Sequence, residues 1–362
     1  MLDPRNFFSA DYAEARAKFI RAAEARGLKH TPYLNPHAKG PKGEDLTIDV
    51  AVLGPADATA GLLVISGTHG VEGYAGSGAQ IGWLQSTRNT NWPAGLKLVL
   101  VHALNPYGFA WNRRVNEENV DLNRNFVDHA KPHPQNKGYE QPKAAIVPAD
   151  LTPKTLAVAD DTLRNFGKEH GLFALQEAIS QGQYTHPDGM YFGGTREQWS
   201  VGQILHIARR EFGHAERVGI IDIHTGLGPY GHGEIITEDE ASDPRYARTK
   251  RWWGDVRSTR AGESVSAHVL GSIDSGLIAA LSHAEVTAGG LEFGTYPTLE
   301  VFQGLRADNW LHVQGDPRGP DAPAIKAAVR KAFYPDLDDW KDMVWKRSER
   351  VLSQAVEALA AG

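Results

Sequence analysis

Two residues three apart, His69 and Glu72, sit in the stretch Thr68-His69-Gly70-Val71-Glu72, directly after the apolar run Leu62-Leu63-Val64-Ile65-Ser66-Gly67. An imidazole nitrogen and a carboxylate oxygen at one strand's end can face a single point, and both are zinc ligands. A third ligand from far along the chain would complete a catalytic site whose fourth position stays open for water. His224 suits that place, because it closes another apolar run, Val218-Gly219-Ile220-Ile221-Asp222-Ile223. Asp222, two residues earlier and on the same side of that strand, could orient the imidazole. Zinc at such a site lowers the pKa of its water and polarises a carbonyl oxygen. The chain has 15 histidines, and a histidine after a strand is more often structural than a ligand, so the spacing alone leaves these three as candidates.

A second block with chemistry in it is Arg113-Arg114-Val115-Asn116-Glu117-Glu118-Asn119-Val120-Asp121-Leu122-Asn123-Arg124-Asn125-Phe126. A solvated surface loop is the plain reading. Three arginines and four asparagines around Val115, Val120, Leu122 and Phe126 suit a sharper one, planar bidentate recognition of a carboxylate.

The elements that must position these residues follow from apolar periodicity and from glycine and proline punctuation. Strands are expected at 46–53, 62–66, 96–102 and 218–224, with a last one near 291–293. Helices are expected at about 10–27, 76–84, 154–181, 200–212 and 339–360. The segment 129–153, rich in Pro, Lys and Gln, reads as a long surface loop. Continuous apolar strands alternating with helices predict an α/β fold: a mixed, mostly parallel central sheet with helices on both faces. His69, His224 and Glu292 all fall at or just after strands, where ligands of such sheets gather. No repeat or low-complexity linker divides residues 1–362, so one domain is expected, with the motifs inside 60–300 and a C-terminal extension at 305–362.

Composition narrows the class. The 362 residues are 41% hydrophobic and 23% charged, ordinary for a globular protein, and the net charge of −6 gives no basic excess for nucleic acid or an anionic membrane. With no cysteine, disulfides and thiolate-bound zinc are excluded. The first 26 residues are charged throughout and lack the core of a signal peptide, and no run reaches transmembrane length, so a cytoplasmic enzyme is the expectation. Phe7, Phe8, Tyr12, Phe19 and Ile20 are candidate buried positions of an amphipathic N-terminal helix. Trp310, Trp340 and Trp345 suggest packing or a homo-oligomer contact.

His69-x-x-Glu72, Asp121-Leu122-Asn123-Arg124-Asn125-Phe126, Asp222-Ile223-His224-Thr225 and Glu292-Phe293-Gly294-Thr295 occur in the order seen in the zinc carboxypeptidase family of metallopeptidases, the M14 clan, which the chain resembles. The longer forms, Gly67-Thr68-His69-Gly70-Val71-Glu72-Gly73 and Leu291-Glu292-Phe293-Gly294-Thr295, look most like a bacterial branch carrying a domain of unknown function, DUF2817. The resemblance covers about residues 60–300. It implies one zinc ion on His69, Glu72 and His224. It implies Glu292 as the general base that takes a proton from zinc-bound water and delivers it to the leaving amine. It implies Asn123 and Arg124 as holders of the substrate carboxylate, and an arginine that stabilises the oxyanion. Arg114 fits that pattern better, with Arg113 the alternative. The neighbourhood of Glu292 is nearly free of other charge, which suits a raised pKa.

The departures matter too. Thr225-Gly226 follows the third ligand where digestive carboxypeptidases have Ser-Tyr, and no tyrosine lies between Tyr246 and Glu292 to supply their mobile hydroxyl. His-Thr at this point is closer to the aspartoacylase and succinylglutamate desuccinylase branch. The aromatic, glycine-rich stretch 183–194 could line a pocket, with Tyr184 or Tyr191 offering a hydroxyl, or could simply pack on itself. The expectation is therefore a zinc hydrolase acting on an amide bond beside a free carboxylate. A small peptide is the first substrate class and an N-acyl amino acid the second. A non-catalytic metal- or peptide-binding protein is the contrasting reading.

Overall fold

The strand interiors that read as continuous apolar runs form the centre of one sheet. The structure, a computed structural model, describes residues 3–86 and 92–361. Among these, eight strands, β1 (Lys29–Lys39), β2 (Asp45–Leu53), β3 (Ala60–Ser66), β4 (Leu96–His102), β5 (Arg217–Tyr230), β6 (Gly233–Thr237), β7 (Val256–Ser258) and β8 (Glu285–Gly294), lie in the order β1-β2-β4-β3-β5-β8-β6-β7. The central strands β4, β3, β5 and β8 are parallel to one another. The pairs β1/β2, β2/β4 and β6/β8 are antiparallel, and β6/β7 is parallel. The sheet is mixed and mostly parallel at its centre, with helices on both faces, as expected from the sequence.

Period-two alternation divides the central strands between two cores. Leu62 and Val64 of β3, Leu98 and Leu100 of β4, and Ile221 and Ile223 of β5 pack on one face. There they meet the helix Tyr12–Ala25, the helix Gly73–Gln85 and the C-terminal helix Asp338–Ala361, with Phe19, Ile81 and Leu352 among the buried contacts. Leu63, Ile65, Val99, Val101, Val218 and Ile220 face the other way, toward the helices Trp199–Phe212 and Ile273–Ala280. Each such side chain contributes roughly 1.5–3 kcal/mol by leaving water. Among the described residues, no helix is long and apolar enough to cross a membrane.

Several elements differ from expectation. β1 contains Pro32 and Pro36, which argue against a strand, yet it pairs on one side only, and an edge strand tolerates the missing N–H groups. β6 and β7 are short and were also not expected. The segment 129–153 is not simply a surface loop: the short helices Lys137–Glu140 and Lys143–Ile146 bury Tyr139 and Ile146 completely. The long helix expected at 154–181 is two, Pro153–His170 and Leu172–Ser180, split at Gly171 with φ 95°. β5 does not stop at His224 but continues to Tyr230 through an irregular register against β8. In the C-terminal segment, the Trp340 indole donates to the Gly294 carbonyl at 2.9 Å and Trp345 meets the Phe7 ring edge-on, so both pack within the chain.

Candidate metal centre and its cavity

His69 leaves the carboxyl end of β3, and the short 3-10 turn Gly70–Glu72 brings Glu72 round beside it. The turn depends on Gly70, where a Cβ would lie 2.0 Å from the Gly108 backbone. That close approach lets Gly70 and Val71 donate backbone hydrogen bonds to the Arg114 and Arg113 carbonyls at 3.1 and 2.8 Å, fastening the turn to the arginine block. His224 comes from β5, two strand positions beyond Asp222, and pairs in register with Glu292 on β8. Adjacent parallel strands thus set the third ligand candidate and the candidate base side by side.

One ligand atom from each of His69, Glu72 and His224 lies within 4.8 Å of the others, and all three residues are buried. His69 Nδ1 is 2.9 Å from Glu72 Oε1, while His224 Nδ1 is 3.0 Å from Glu72 Oε2 and 3.2 Å from His69 Nδ1. The other ring nitrogens meet charged side chains: His224 Nε2 lies 2.7 Å from Asp222 Oδ2, and His69 Nε2 lies 3.1 Å from Asp121 Oδ1 and 2.8 Å from a terminal nitrogen of Arg114. Thr68 in turn donates its hydroxyl to Asp222 Oδ1 at 2.8 Å. Imidazoles that offer Nδ1 to a shared point and anchor Nε2 on an acid are oriented as metal ligands are. Two nitrogens and a carboxylate also match the donor set zinc prefers. The residues present fit a zinc ion.

Charge is balanced tightly here. Burial by itself would raise the Glu72 carboxyl, but His69 and His224 outweigh it and hold it well below the usual range. Burial opposes protonation of His224, and Asp222 with Glu72 overrides it, raising this imidazole. Arg114 donates from Nε to Asp121 Oδ2 at 2.9 Å and from a terminal nitrogen to Glu72 Oε1 at 3.2 Å, and these partners keep it charged despite its burial. Glu292 behaves oppositely. Burial first, and then the charge of Glu72, push its carboxyl above the usual range, and its one backbone donor is Leu227 N–H at 3.0 Å. A raised carboxyl beside the ligand cluster is what a proton shuttle needs near neutral pH.

These residues open onto a cavity of about 1130 Å³. His69, His224, Glu292, Arg114, Asn123, Arg124 and Tyr191 all line it, together with apolar side chains such as Leu175, Ile179, Val301 and Phe302. Arg124 is buried, yet among the described residues its guanidinium meets only backbone carbonyls, of Ser180 and Asn123. Burial pulls its pKa down. Asn123 accepts the Ile273 N–H at 2.8 Å through Oδ1, which leaves its NH2 group without a protein partner among the described residues. Tyr191 takes a left-handed backbone, φ 55°, and both arginines lie over its ring, the Arg114 guanidinium carbon 5.1 Å and that of Arg124 5.5 Å from the ring centre.

Two candidates lie elsewhere. Arg113 does not line this cavity; it donates to Asp308 at 2.9 Å and to Asn119 at 2.9 Å, tying the block to the helix Thr298–Val313. Tyr184 does not line it either, because its hydroxyl donates to the Arg124 carbonyl at 2.6 Å and its ring stacks on His133. Its hydroxyl thereby holds the backbone of the Asp121–Phe126 segment. Asp121 heads the Asp121–Phe126 motif but is given no role by the sequence, although it binds His69 and Arg114 together. Its place just before Leu122-Asn123-Arg124 was the available signal. Glu238 and Asp274, which also line the cavity, stand in segments with no informative spacing.

No curated protein matches the sequence of the chain. Among solved structures it is similar to carboxypeptidase A from Helicoverpa armigera, at 12% identity and a TM-score of 0.52, with 98% of this chain and 74% of that one covered. It is also similar to bovine thrombin-activatable fibrinolysis inhibitor, at 11% identity and a TM-score of 0.42, over 93% of this chain and 98% of that one. A third similarity is to the succinylglutamate desuccinylase from Chromobacterium violaceum, at 14% identity and a TM-score of 0.38, over 83% and 74%. The first of these shows that the fold is that of carboxypeptidase A. The family model described as "Protein of unknown function (DUF2817)" matches residues 8–347, nearly the whole length, and the chain belongs to that family.

Proposed function

We propose that this chain is a zinc-dependent hydrolase of the carboxypeptidase type, cleaving an amide bond next to a free carboxylate. The observation that carries the reading is a single cavity lined by His69 and His224, whose ligand atoms lie within 4.8 Å of one from the buried Glu72 behind them, and also by Arg124, a buried cation with no ion-pair partner among the described residues. A buried guanidinium without a counter-charge is costly, and a ligand carboxylate would complete it with paired, charge-assisted hydrogen bonds.

His69, Glu72 and His224 would hold the ion, and Asp121 and Asp222 would fix the two rings. When bound, zinc supplies Lewis acidity that polarises the scissile carbonyl and makes water easier to deprotonate. Glu292 takes a proton from the attacking water and passes it to the leaving amine, so that amide and water become acid and amine. Arg114, already on the cavity surface, stabilises negative charge as it develops on the carbonyl oxygen. Arg124 and the free amide group of Asn123 hold the terminal carboxylate, and the Tyr191 ring keeps the two arginines apart and facing the cavity.

Thr225 after His224 favours a second reading, an N-acyl amino acid deacylase using the same chemistry, and the cavity volume has room for a bulky acyl group. Metal content together with a hydrolysis screen of free-acid peptides, C-terminally amidated peptides and N-acyl amino acids decides between them. Free-acid peptides should react and amidated ones should not. Equal turnover of the amides would remove the anchoring role of Asn123 and Arg124, exclusive turnover of acyl amino acids would select the deacylase, and a metal-free, inactive wild type would sink both.

A further inference from the structure

Away from the ligand cluster, Arg113 and Asp308 form a buried ion pair, with 3% and 4% of their side chains exposed. Neither has a part in the chemistry above, and neither lines the large cavity. Arg113 Nε donates to Asp308 Oδ2 at 2.9 Å. Asp308 lies on the helix Thr298–Val313, and its other oxygen accepts from Lys326 on the helix Ala322–Phe333. Burial opposes ionisation of Asp308, and Lys326 with Arg113 outweighs it, holding the carboxyl below the usual range. A charged carboxylate between two cations, closed off from water, keeps its partners in place.

What this pair fastens lies at the site. The Arg113 carbonyl accepts the Val71 N–H at 2.8 Å and the Arg114 carbonyl accepts the Gly70 N–H at 3.1 Å, so the turn Gly70–Glu72 hangs on the backbone of these two residues. Arg114, next along the chain, reaches Glu72 and Asp121. The other edge of the Arg113 fork donates to Asn119 Oδ1 at 2.9 Å, and Asn119 donates onward to the Pro187 and Gly189 carbonyls at 2.9 and 3.1 Å. Asn309, beside Asp308, takes the carbonyl between them, donating to Asp188 at 2.9 Å. Tyr191 follows at once, under both cavity arginines, with a left-handed φ of 55° that a bulky residue keeps only where its surroundings over-determine it. A planar guanidinium can serve an acid on one edge and an amide on the other, which a lysine could not.

We propose that Asp308 is a positioning residue for the metal centre: by holding Arg113, it sets the turn that carries Glu72 and the seat of Arg114. This rests on the hydrolase reading and deepens it, because it extends the machinery to a helix that touches neither the ligand candidates nor the substrate cavity at this residue.

The test uses the full-length protein loaded with cobalt(II), whose visible absorption follows the arrangement of its ligands, where d10 zinc is silent. Asp308→Asn should alter the cobalt bands, weaken zinc about tenfold in competition with a fluorescent chelator, and lower kcat on free-acid peptides by a similar factor with KM little changed. Arg113→Gln leaves Asp308 paired with Lys326; it should do the same, and it carries the test if Asp308→Asn does not fold. Combining the two should lose no more than either alone, since both cut one link. Lys326→Met removes the other partner of Asp308 but leaves Arg113 held, so its cobalt spectrum, zinc affinity and kcat should match the wild type whatever the change in its melting temperature. Folded Asp308→Asn or Arg113→Gln protein with the wild-type spectrum and zinc affinity would overturn the proposal. So would a Lys326→Met protein that loses as much as they do, because the effect would then be one of helix packing. The metal readings need no turnover, which separates the two readings. Altered spectra in both variants of a wild type that binds zinc but hydrolyses nothing support the positioning role and remove the hydrolase. Full turnover with unmoved spectra removes the positioning role and leaves the hydrolase.

Discussion

The two walls of the cavity handle charge in opposite ways. On the metal-ligand wall the three ligand candidates and Arg114 are all paired: His69 meets Glu72 and Asp121, His224 meets Glu72 and Asp222, and Arg114 bridges Glu72 and Asp121. On the wall proposed to hold the substrate, the anchoring wall, Arg124 hydrogen-bonds only carbonyl oxygens and lies over the Tyr191 ring, and Asp274 keeps an unpartnered oxygen, among the described residues. Paired charges hold a geometry, and broken pairs leave a buried ion uncompensated. Unpaired buried charges hold nothing in place, so their energetic cost is offset only when something enters. Under the proposed function, the difference separates residues that build the site from residues that meet the substrate.

The sharpest way to break this division is to attack the paired wall. Chelation of the wild type should abolish turnover, and added zinc should restore it. Glu72→Ala should also be inactive and should stay so after zinc is added, with metal analysis showing loss of the ion. A Glu72→Ala protein that kept stoichiometric zinc would refute the assignment of the centre. Glu292→Gln, on the same wall but not a ligand candidate, should lower kcat by about 10²- to 10⁴-fold, the range for loss of a general acid–base group. Its zinc content should match the wild type. Normal activity in that variant would put the proton shuttle elsewhere.

On the anchoring wall the effect should be smaller and selective. Arg124→Met should reduce kcat/KM for free-acid peptides by about 10- to 100-fold, as expected when a charged hydrogen-bond donor is lost. It should do so mainly through KM, and zinc binding should survive. A collapse of zinc binding instead would mean that the anchoring wall is structural after all. Asp222→Asn, which removes the acid orienting His224, should have an effect of the same size on a different quantity. It should weaken zinc about 10- to 100-fold while leaving the fold intact, readable by competition with a fluorescent chelator.

The two walls also differ in how far the sequence revealed them. His69, Glu72, His224 and Glu292 stand next to apolar runs whose ends are predictable, and an α/β sheet collects what lies at its carboxyl edge. The central strands and most helices were legible for the same reason, because burial on both faces writes a continuous apolar pattern. β1 escaped because Pro32 and Pro36 obscure a strand that needs only one neighbour. The buried Tyr139 and Ile146 escaped because short helical turns leave no period to read. Arg113 and Arg114 are adjacent with the same chemistry, and only tertiary contacts send one to Asp308 and the other to the ligand cluster. Glu238 and Asp274 are the extreme case: isolated acids in polar segments, brought to one cavity by β6 and a helix start far apart in the chain.

That last pair allows the gentlest probe of the comparison, because it needs no substrate. The Asp274 carboxyl is raised from 3.8 to about 8, chiefly by burial and then by Glu238, with Asp222 and Asp239 adding negative charge and His224 opposing. Between those two values the folded chain keeps a proton that the unfolded chain has released. The folded state therefore binds more protons, and its stability declines as pH rises through that window. Asparagine has no proton to lose. Asp274→Asn should melt close to the wild type near the acid end of the window and on the order of 2 °C higher at its alkaline end. The expected signature is a gap that widens with pH. A gap that stayed constant with pH would show that Asp274 is ionised and satisfied in the folded chain, and the contrast between the two walls would then rest on Arg124 alone.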